Sequence, residues 1–399
     1  MILLVTGGAG FIGSNFVKHR LENTSDKIIV LDALTYAGVL DNLKSYLNDS
    51  NLLVPTSQYD LKKIEKTINQ YGVTYNDVKD EVESKRLSSK LREFSPKYIN
   101  IEDLNEKIEE VLENTRLAFV VGNIIDSTLD EKLMNLSDIV VHFAAESHVD
   151  RSIFNADAFV KTDVYGTYSL LEAAKKCEKL NKFIHISTDE VYGQAKEKPF
   201  KETDPLNPRN PYSASKAAAD RMAYAYYQTY GVPVVIVRPS NNFGPNQYPE
   251  KLIPVVTIKA LNNEPIPVYG DGKQRRDWLY VEDTAKAINL LIEKGEIGQA
   301  YNVAGRNERE NMFVVERILE ITGKSKDLIK HVKDRPGHDL RYLIDDTKIR
   351  GLGFKQDRTF EELFDHTVKW YLKNKNWWEK ILREDEEYKE FMEKWYENR

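Results

Sequence analysis

Hydrophobic residues along the chain fall in short, nearly unbroken runs separated by stretches of helical spacing. The runs are Met1–Thr6 (MILLVT), Ile28–Leu31 (IIVL), Leu117–Val121 (LAFVV), Ile139–Phe143 (IVVHF), Phe183–Ile186 (FIHI) and Val234–Val237 (VVIV). Runs this short, with no polar alternation, fit parallel strands buried on both faces. Phe11–Glu22 has helical spacing. The pattern predicts an α/β chain with a Rossmann-type, doubly wound parallel sheet.

One interval breaks the rhythm. From Asp32 to Leu117 there are 85 positions, whereas a βαβ unit takes about 30. The excess, about residues 46–116, is charged and poor in glycine. Leu61, Ile64 and Ile68 share one helical face, as do Leu104, Ile108, Val111 and Leu112. Breaks fall at Pro55–Ser57 and Ser95–Pro96. The expectation is a helical insertion of two or three helices. After Asn241 prolines become frequent and the alternation is lost. A smaller C-terminal substrate domain is therefore expected over 241–399, after a cofactor domain over 1–240. Residues about 276–303 are expected to return to the first. The last stretch, Asn374–Arg399, is expected to be helical.

Composition narrows the partners. The 399 residues are 41% hydrophobic, enough for a sizeable core, and carry a net charge of -6. An acidic chain with no basic face argues against nucleic acid. No apolar run approaches about 18 residues, so no membrane span is expected. The start, MILLVTGGAGFIG, has no basic segment and is not read as a signal peptide. Cys177 is the one cysteine, so no intrachain disulfide can form, which fits a cytoplasmic protein.

Candidate chemistry begins at the first strand end. Gly7, Gly10 and Gly13 (TGGAGFIG) follow a strand and open a helix. Glycines there let backbone amides approach a pyrophosphate at a helix N-terminus. Asp32 ends the next strand, 19 residues after Gly13. Its carboxylate suits a ribose diol and would repel a 2′-phosphate, so NAD is favoured over NADP. Tyr212 and Lys216 stand as Y-x-x-x-K, four apart and on one helical face. An ammonium beside a phenol stabilises phenolate, which makes Tyr212 a candidate base. The pair follows the strand-end Thr188 by 24 residues. Asp189 and Glu190 come directly after that threonine, two acids that hydride transfer alone does not require.

These motifs resemble those of the extended short-chain dehydrogenases/reductases. More narrowly they are similar to the nucleotide-sugar 4,6-dehydratases, above all those acting on dTDP-glucose. The stretches are TGGAGFIGS, LDALTYAG, HFAAESHVDRS, STDEVYG, NPYSASKAAAD, RPSNNFGPNQYPEKLIP, PVYGDGKQRRDWLYVEDTA and DRPGHDLRY. The resemblance covers nearly the whole chain except the insertion. It implies oxidation at C4 of a hexose by NAD, loss of water across C5 and C6, and hydride return to C6. It implies Tyr212 as base at O4 beside Lys216, with Thr188 hydrogen-bonding near O4. Glu190 takes the C5 proton and Asp189 protonates the departing 6-hydroxyl. Adjacent carboxylates in different surroundings can hold different protonation states.

The same resemblance implies further NAD contacts at Phe11, Ile12, Ala33, Leu34, Thr35, Asn123, Ile124, Phe143, Ala144, Ala145, Ser147, Thr162 and Asn242. It implies nucleotide-sugar contacts at Glu146, Asn241, Lys251, Leu252, Pro267, Tyr269, Arg276, Asn311, Arg335 and His338. Lys251, Arg276 and Arg335 would supply positive charge for a diphosphate. No metal is expected. Two positions depart from the family: Asn123 replaces a usual acid, and Asp163 a usual asparagine. Thymidine is the expected base, with uridine next. A homodimer is expected through helices near 157–177 and 212–230. Two other readings stay open: a UDP-sugar 4-epimerase or UDP-glucuronate decarboxylase, and a catalytically silent NAD-binding protein. The insertion's role is also open between covering the cofactor, extending a dimer contact and binding a partner.

Overall fold

The computed structural model describes residues 1–56, 86–87 and 89–394. The chain forms two compact units, each assembled from separate stretches. The first takes Met1–Ala145, Lys161–His185 and Met222–Val234, and the second Glu146–Val160, Ile186–Arg221 and Val235–Arg399.

Strands of the first unit are β1 (Ile2–Thr6), β2 (Lys27–Asp32), β3 (Leu52–Thr56), β4 (Lys97–Asn100), β5 (Leu117–Val121), β6 (Ile139–His142) and β7 (Lys182–Ile186). They lie in the order β7-β6-β1-β2-β5-β3-β4, all parallel. The chain winds outward from β1 on one side, then returns to wind outward on the other. That reversal makes β1 the switch point of a Rossmann-type sheet. Nearly every residue of β1, β2, β5 and β6 is buried, which is why these strands read as continuous apolar runs. Thr6 pairs with Leu31 and with His142. This register sets the glycine turn that begins at Gly7 beside Asp32.

The described part of the insertion contains strand as well as helix. Helix Leu104–Asn114 buries Leu104, Ile108, Val111 and Leu112 as its spacing predicts. The face with Leu61, Ile64 and Ile68 lies outside the described residues. β3 and β4, which the periodicity did not predict, extend the parallel sheet. Pro55 hid β3, since proline within an apolar run counts against a strand. Pro55 lies beyond the stretch paired with β5 and stands opposite Ile99 of β4.

In the second unit, β8 (Val234–Pro239) pairs with β12 (Ala300–Val303), and β9 (Asn241–Phe243) with β11 (Arg275–Tyr280), both in parallel. β13 (Glu308–Glu310) adds antiparallel to β11, and β10 (Ile266–Tyr269) pairs with β14 (Ile329–Val332). Phe243 is the centre of a core cluster, ringed by Trp278, Tyr280, Phe360 and Phe364. Helix Phe360–Lys373 starts at a Thr359–Glu362 capping box. Helices Lys375–Glu384 and Glu386–Met392 follow. Among the described residues no helix is long and apolar enough to cross a membrane.

Candidate active site

The acid pair sits where β7 ends. Thr188 adopts an extended conformation and caps a single 3-10 turn, Asp189–Tyr192, its Oγ accepting from the Glu190 amide at 3.3 Å. A capping pair would normally lie in solvent. Here Asp189 is only 2% exposed and Glu190 8%. Burial pushes the Asp189 carboxyl well above the ordinary range, with Glu190 and Asp277 adding negative charge nearby. Thr188 Oγ donates to Asp189 Oδ1 at 3.2 Å, while Oδ2 is buried without a hydrogen-bond partner among the described residues. Glu190 Oε2 lies 3.2 Å from the Tyr342 hydroxyl, which is also 2.9 Å from Asp339 Oδ2. The two neighbours therefore have different surroundings. Asp189 is set up to hold a proton, and Glu190 faces a phenol able to donate to a carboxylate.

The turn is tied to the helix that carries the other pair. Helix Pro211–Tyr230 presents Tyr212, Lys216 and Asp220 at i, i+4 and i+8. Asp220 takes two hydrogen bonds from buried Arg238, at 2.8 and 2.9 Å. Burial alone would raise its pKa, but Arg238 holds the carboxyl down to about 2. Arg238 also donates to the Tyr192 hydroxyl at 2.6 Å, and Tyr192 donates to Asn302 at 2.8 Å. Lys216 is buried and donates from Nζ to the Ile186 carbonyl at 2.7 Å. Tyr212 is half-buried, edge-on to Phe159 at 6.2 Å between ring centroids.

A cleft in the same unit has about 1080 Å³ of empty volume, its mouth included. Glu190, Asn241, Lys251, Leu252, Pro267, Tyr269, Arg276, Asn311, Arg335 and His338 line it, together with Ser147 and Asn242. Glu146 is half-buried at the head of the Ser147–Asp150 wall. Arg335 pairs with buried Asp150 at 2.6 Å, and Tyr269 donates to the same carboxylate at 2.9 Å. Arg276 lies over the Tyr342 ring, 4.3 Å from its centroid. Lys251 donates to the Ser147 carbonyl at 2.6 Å. Burial lowers His338 to about 4, so it is neutral at pH 7, with Nδ1 2.6 Å from Asp334. Asn241 Oδ1, Asn311 Oδ1 and Arg335 Nε are buried without partners among the described residues. Such groups call for a polar partner, whether ligand or water.

In the first unit the glycine turn is built for close approach. Gly7 has φ +70°, and a Cβ there would meet the Ala144 amide at 2.6 Å. A Cβ on Gly13 would lie 2.2 Å from the Gly7 carbonyl oxygen. Helix Phe11–Asn23 begins at Gly10 with no side-chain cap and no acid in its first turn. Its first amides are thus left for an anion. Asp32 accepts from the Ala9 and Leu34 amides, both at 2.8 Å. Each carboxylate oxygen keeps a lone pair for a diol. Phe143, Ala144 and Ala145 continue from β6, beside Gly7. Asn123 turns its side chain back to the Ile125 amide at 3.2 Å. Ile124 is buried and would meet a Cβ on Gly166 at 2.4 Å. Thr162 lies in the π-helical turn Val160–Gly166, and its neighbour Asp163 is buried.

Comparisons with known proteins agree with this geometry. The GDP-mannose 4,6 dehydratase family model matches residues 86–367, and the NAD dependent epimerase/dehydratase family model matches 3–76. The dTDP-glucose 4,6-dehydratase of Salmonella typhimurium is 38% identical, covering all of both chains. The chain belongs to the nucleotide-sugar 4,6-dehydratases. The low-salt glycan biosynthesis protein Agl12 of Haloferax volcanii is 42% identical, over 93% of this chain and 99% of its own. In structure, DesIV, a dTDP-glucose 4,6-dehydratase of Streptomyces venezuelae crystallised with NAD, superposes with a TM-score of 0.76. It is 37% identical, over 96% of this chain and 100% of that one. NAD is the cofactor of this dehydratase, and the uncapped, glycine-lined helix start fits it.

Sequence reasoning passed over several cleft residues. Asp150, Glu250, Trp278 and Gln247 line the wall, and Tyr342 touches Glu190. Asp150 and Tyr342 stand inside quoted motifs, HVDRS and DRPGHDLRY. A conspicuous acid between valine and arginine was the available signal.

Proposed function

We propose that the chain removes water from a nucleotide-linked hexose, dTDP-glucose first among candidates, giving the 4-keto-6-deoxy sugar. The observation that carries this is the buried Thr188-Asp189-Glu190 turn, in one unit with Tyr212, Lys216 and the cleft. When bound, NAD+ supplies the hydride store, accepting hydride from C4 and returning it to C6. The remaining transfers fall to side chains. Tyr212 takes the O4 proton, with Lys216 favouring its phenolate and Thr188 hydrogen-bonding near O4. The ketone formed at C4 acidifies C5–H, and Glu190 removes that proton. The C6–O bond then breaks as Asp189, whose burial retains its proton, donates to the leaving oxygen to form water. Glu190 returns its proton to C5 as hydride arrives at C6. The cofactor ends oxidised, so no external reductant is consumed.

Binding follows the same division. The NAD set is Gly7, Gly10–Gly13, Asp32–Thr35, Asn123, Ile124, Phe143–Ala145, Ser147, Thr162 and Asn242. The cleft set, led by Lys251, Arg276 and Arg335, takes the diphosphate and sugar. Residues to about 240 are assigned mainly to the cofactor and 241–399 mainly to the substrate. The stretch 276–303 returns toward the first part, as the pairing of β12 with β8 supports. The protein is read as a cytoplasmic homodimer. Exposed Tyr165, Tyr168, Tyr224 and Tyr230 support a second copy, and light scattering in solution tests it. The function is tested by supplying dTDP-, UDP-, CDP- and GDP-glucose and measuring the alkali-absorbing keto product. The highest turnover is expected with dTDP-glucose. An epimer without a keto product, or no turnover with any of the four, contradicts the reading.

A further inference from the structure

A side chain of the insertion, Lys90, reaches the loop after Asp32. Lys90 directs its ammonium to three backbone carbonyls, those of Thr35, Tyr36 (2.9 Å) and Gly38 (2.8 Å). Each of these carbonyls can accept from the ammonium. Leu87 and Leu91, on either side of Lys90, are buried and anchor it.

The loop it grips needs an outside hold. Leu34 stands at φ +50°, the left-handed region in which a branched residue is strained. Gly38 folds back so closely that a Cβ would lie 2.8 Å from both Asp32 Oδ1 and Leu34 Cα. The same loop is wired to the glycine turn. Ala9 donates to Asp32, its carbonyl accepts from the Val39 amide at 3.1 Å, and Asn42 Nδ2 donates to that carbonyl at 3.0 Å. Whatever sets the shape of Asp32–Gly38 therefore also sets the turn that takes the pyrophosphate. Strained segments persist only where their surroundings over-determine them, and Lys90 is a part of those surroundings contributed by the insertion.

We propose that Lys90 is a positioning residue for the cofactor: by gathering three carbonyls it holds Asp32–Gly38 in the shape that receives the adenosine end of NAD, so cofactor retention depends on the insertion. This rests on the NAD assignment of the glycine turn, which binding by the wild-type chain checks separately.

The test compares wild type, Lys90→Met and Lys90→Arg after NAD+ has been stripped and titrated back. Hydrogen exchange at the Leu34–Val39 amides and binding of thymidine diphosphate are measured alongside. K90M is expected to weaken NAD+ by about tenfold or more and to speed exchange at Leu34–Val39. Thymidine diphosphate binding should stay within about twofold, and K90R, which keeps the charge and several donors, should recover much of the loss. NAD+ affinity of K90M within about twofold of wild type overturns the proposal. So does equal weakening of NAD+ and thymidine diphosphate, which would make Lys90 purely structural. A wild-type chain that does not bind NAD+ sinks the cofactor assignment and this proposal with it.

Discussion

In the glycine turn of the first unit the working groups are backbone atoms from one contiguous stretch. In the cleft of the second unit they are side chains drawn from positions scattered between Ser147 and His338. The glycine turn leads into an uncapped helix start and leaves no room for a Cβ at Gly7 or Gly13. The cleft sets buried ionisable groups against one another: Arg335 pairs with Asp150, and Glu190 has Asp189 as its neighbour. A site made of backbone is specified by spacing, because the chain's own geometry supplies its donors. A site made of side chains must be assembled by the fold, and its groups tune one another's protonation. The first kind binds mainly through groups that do not titrate, whereas the second is suited to moving protons.

Substitutions should separate the two. Asp189→Asn is expected to have the largest effect. It keeps the shape but removes the proton, so formation of the keto product should fall by about 10²–10⁴-fold. NAD+ affinity should not change; a loss of NAD+ binding in D189N would break the comparison. Gly13→Ala should do the reverse. Its Cβ would press on the Gly7 carbonyl, and overpacking of this kind costs about 1–3 kcal/mol. Titration should show NAD+ affinity reduced by about 10- to 100-fold, with thymidine diphosphate binding unaltered. The smallest effect is on stability. Burial raises the Asp189 pKa, so above the ordinary carboxylate range the folded chain binds more protons at this position than the unfolded one. Stability then declines as pH rises through the window between the two pKa values. D189N does not titrate, so urea unfolding should find it more stable than wild type at pH 7. Near pH 3, where the carboxyl is protonated in both states, that gain should vanish.

How much could be read from the sequence follows the same division. Gly7, Gly10, Gly13 and Asp32 were legible from spacing alone, and β1, β2, β5 and β6 from their unbroken apolar runs. Tyr212 and Lys216 were legible as an i, i+4 pair, although Lys216 also donates to Ile186, 30 residues away. The roles of Asp189 and Glu190 came from chemistry and resemblance, and burial then explained why adjacent acids differ. Tyr342 and Asp150 were not legible as site residues. Their partners, Glu190 and Arg335, lie 152 and 185 positions away, and no local pattern spans such distances. β3 was concealed by Pro55, and β4, KYIN, was too short and polar to stand out. Lys90 was invisible for a simpler reason: its acceptors are backbone carbonyls, which every residue has.

The central claim is that the acid pair adds an elimination to an oxidation, with Glu190 removing the proton at C5. The most direct measurement is the mass of the sugar nucleotide after Glu190→Gln has been mixed with NAD+ and dTDP-glucose and quenched within one turnover. The account predicts C4 oxidation without loss of water, so the 4-keto hexose keeps its 6-hydroxyl. Conversion by E190Q to the 4-keto-6-deoxy product at the wild-type rate would contradict it.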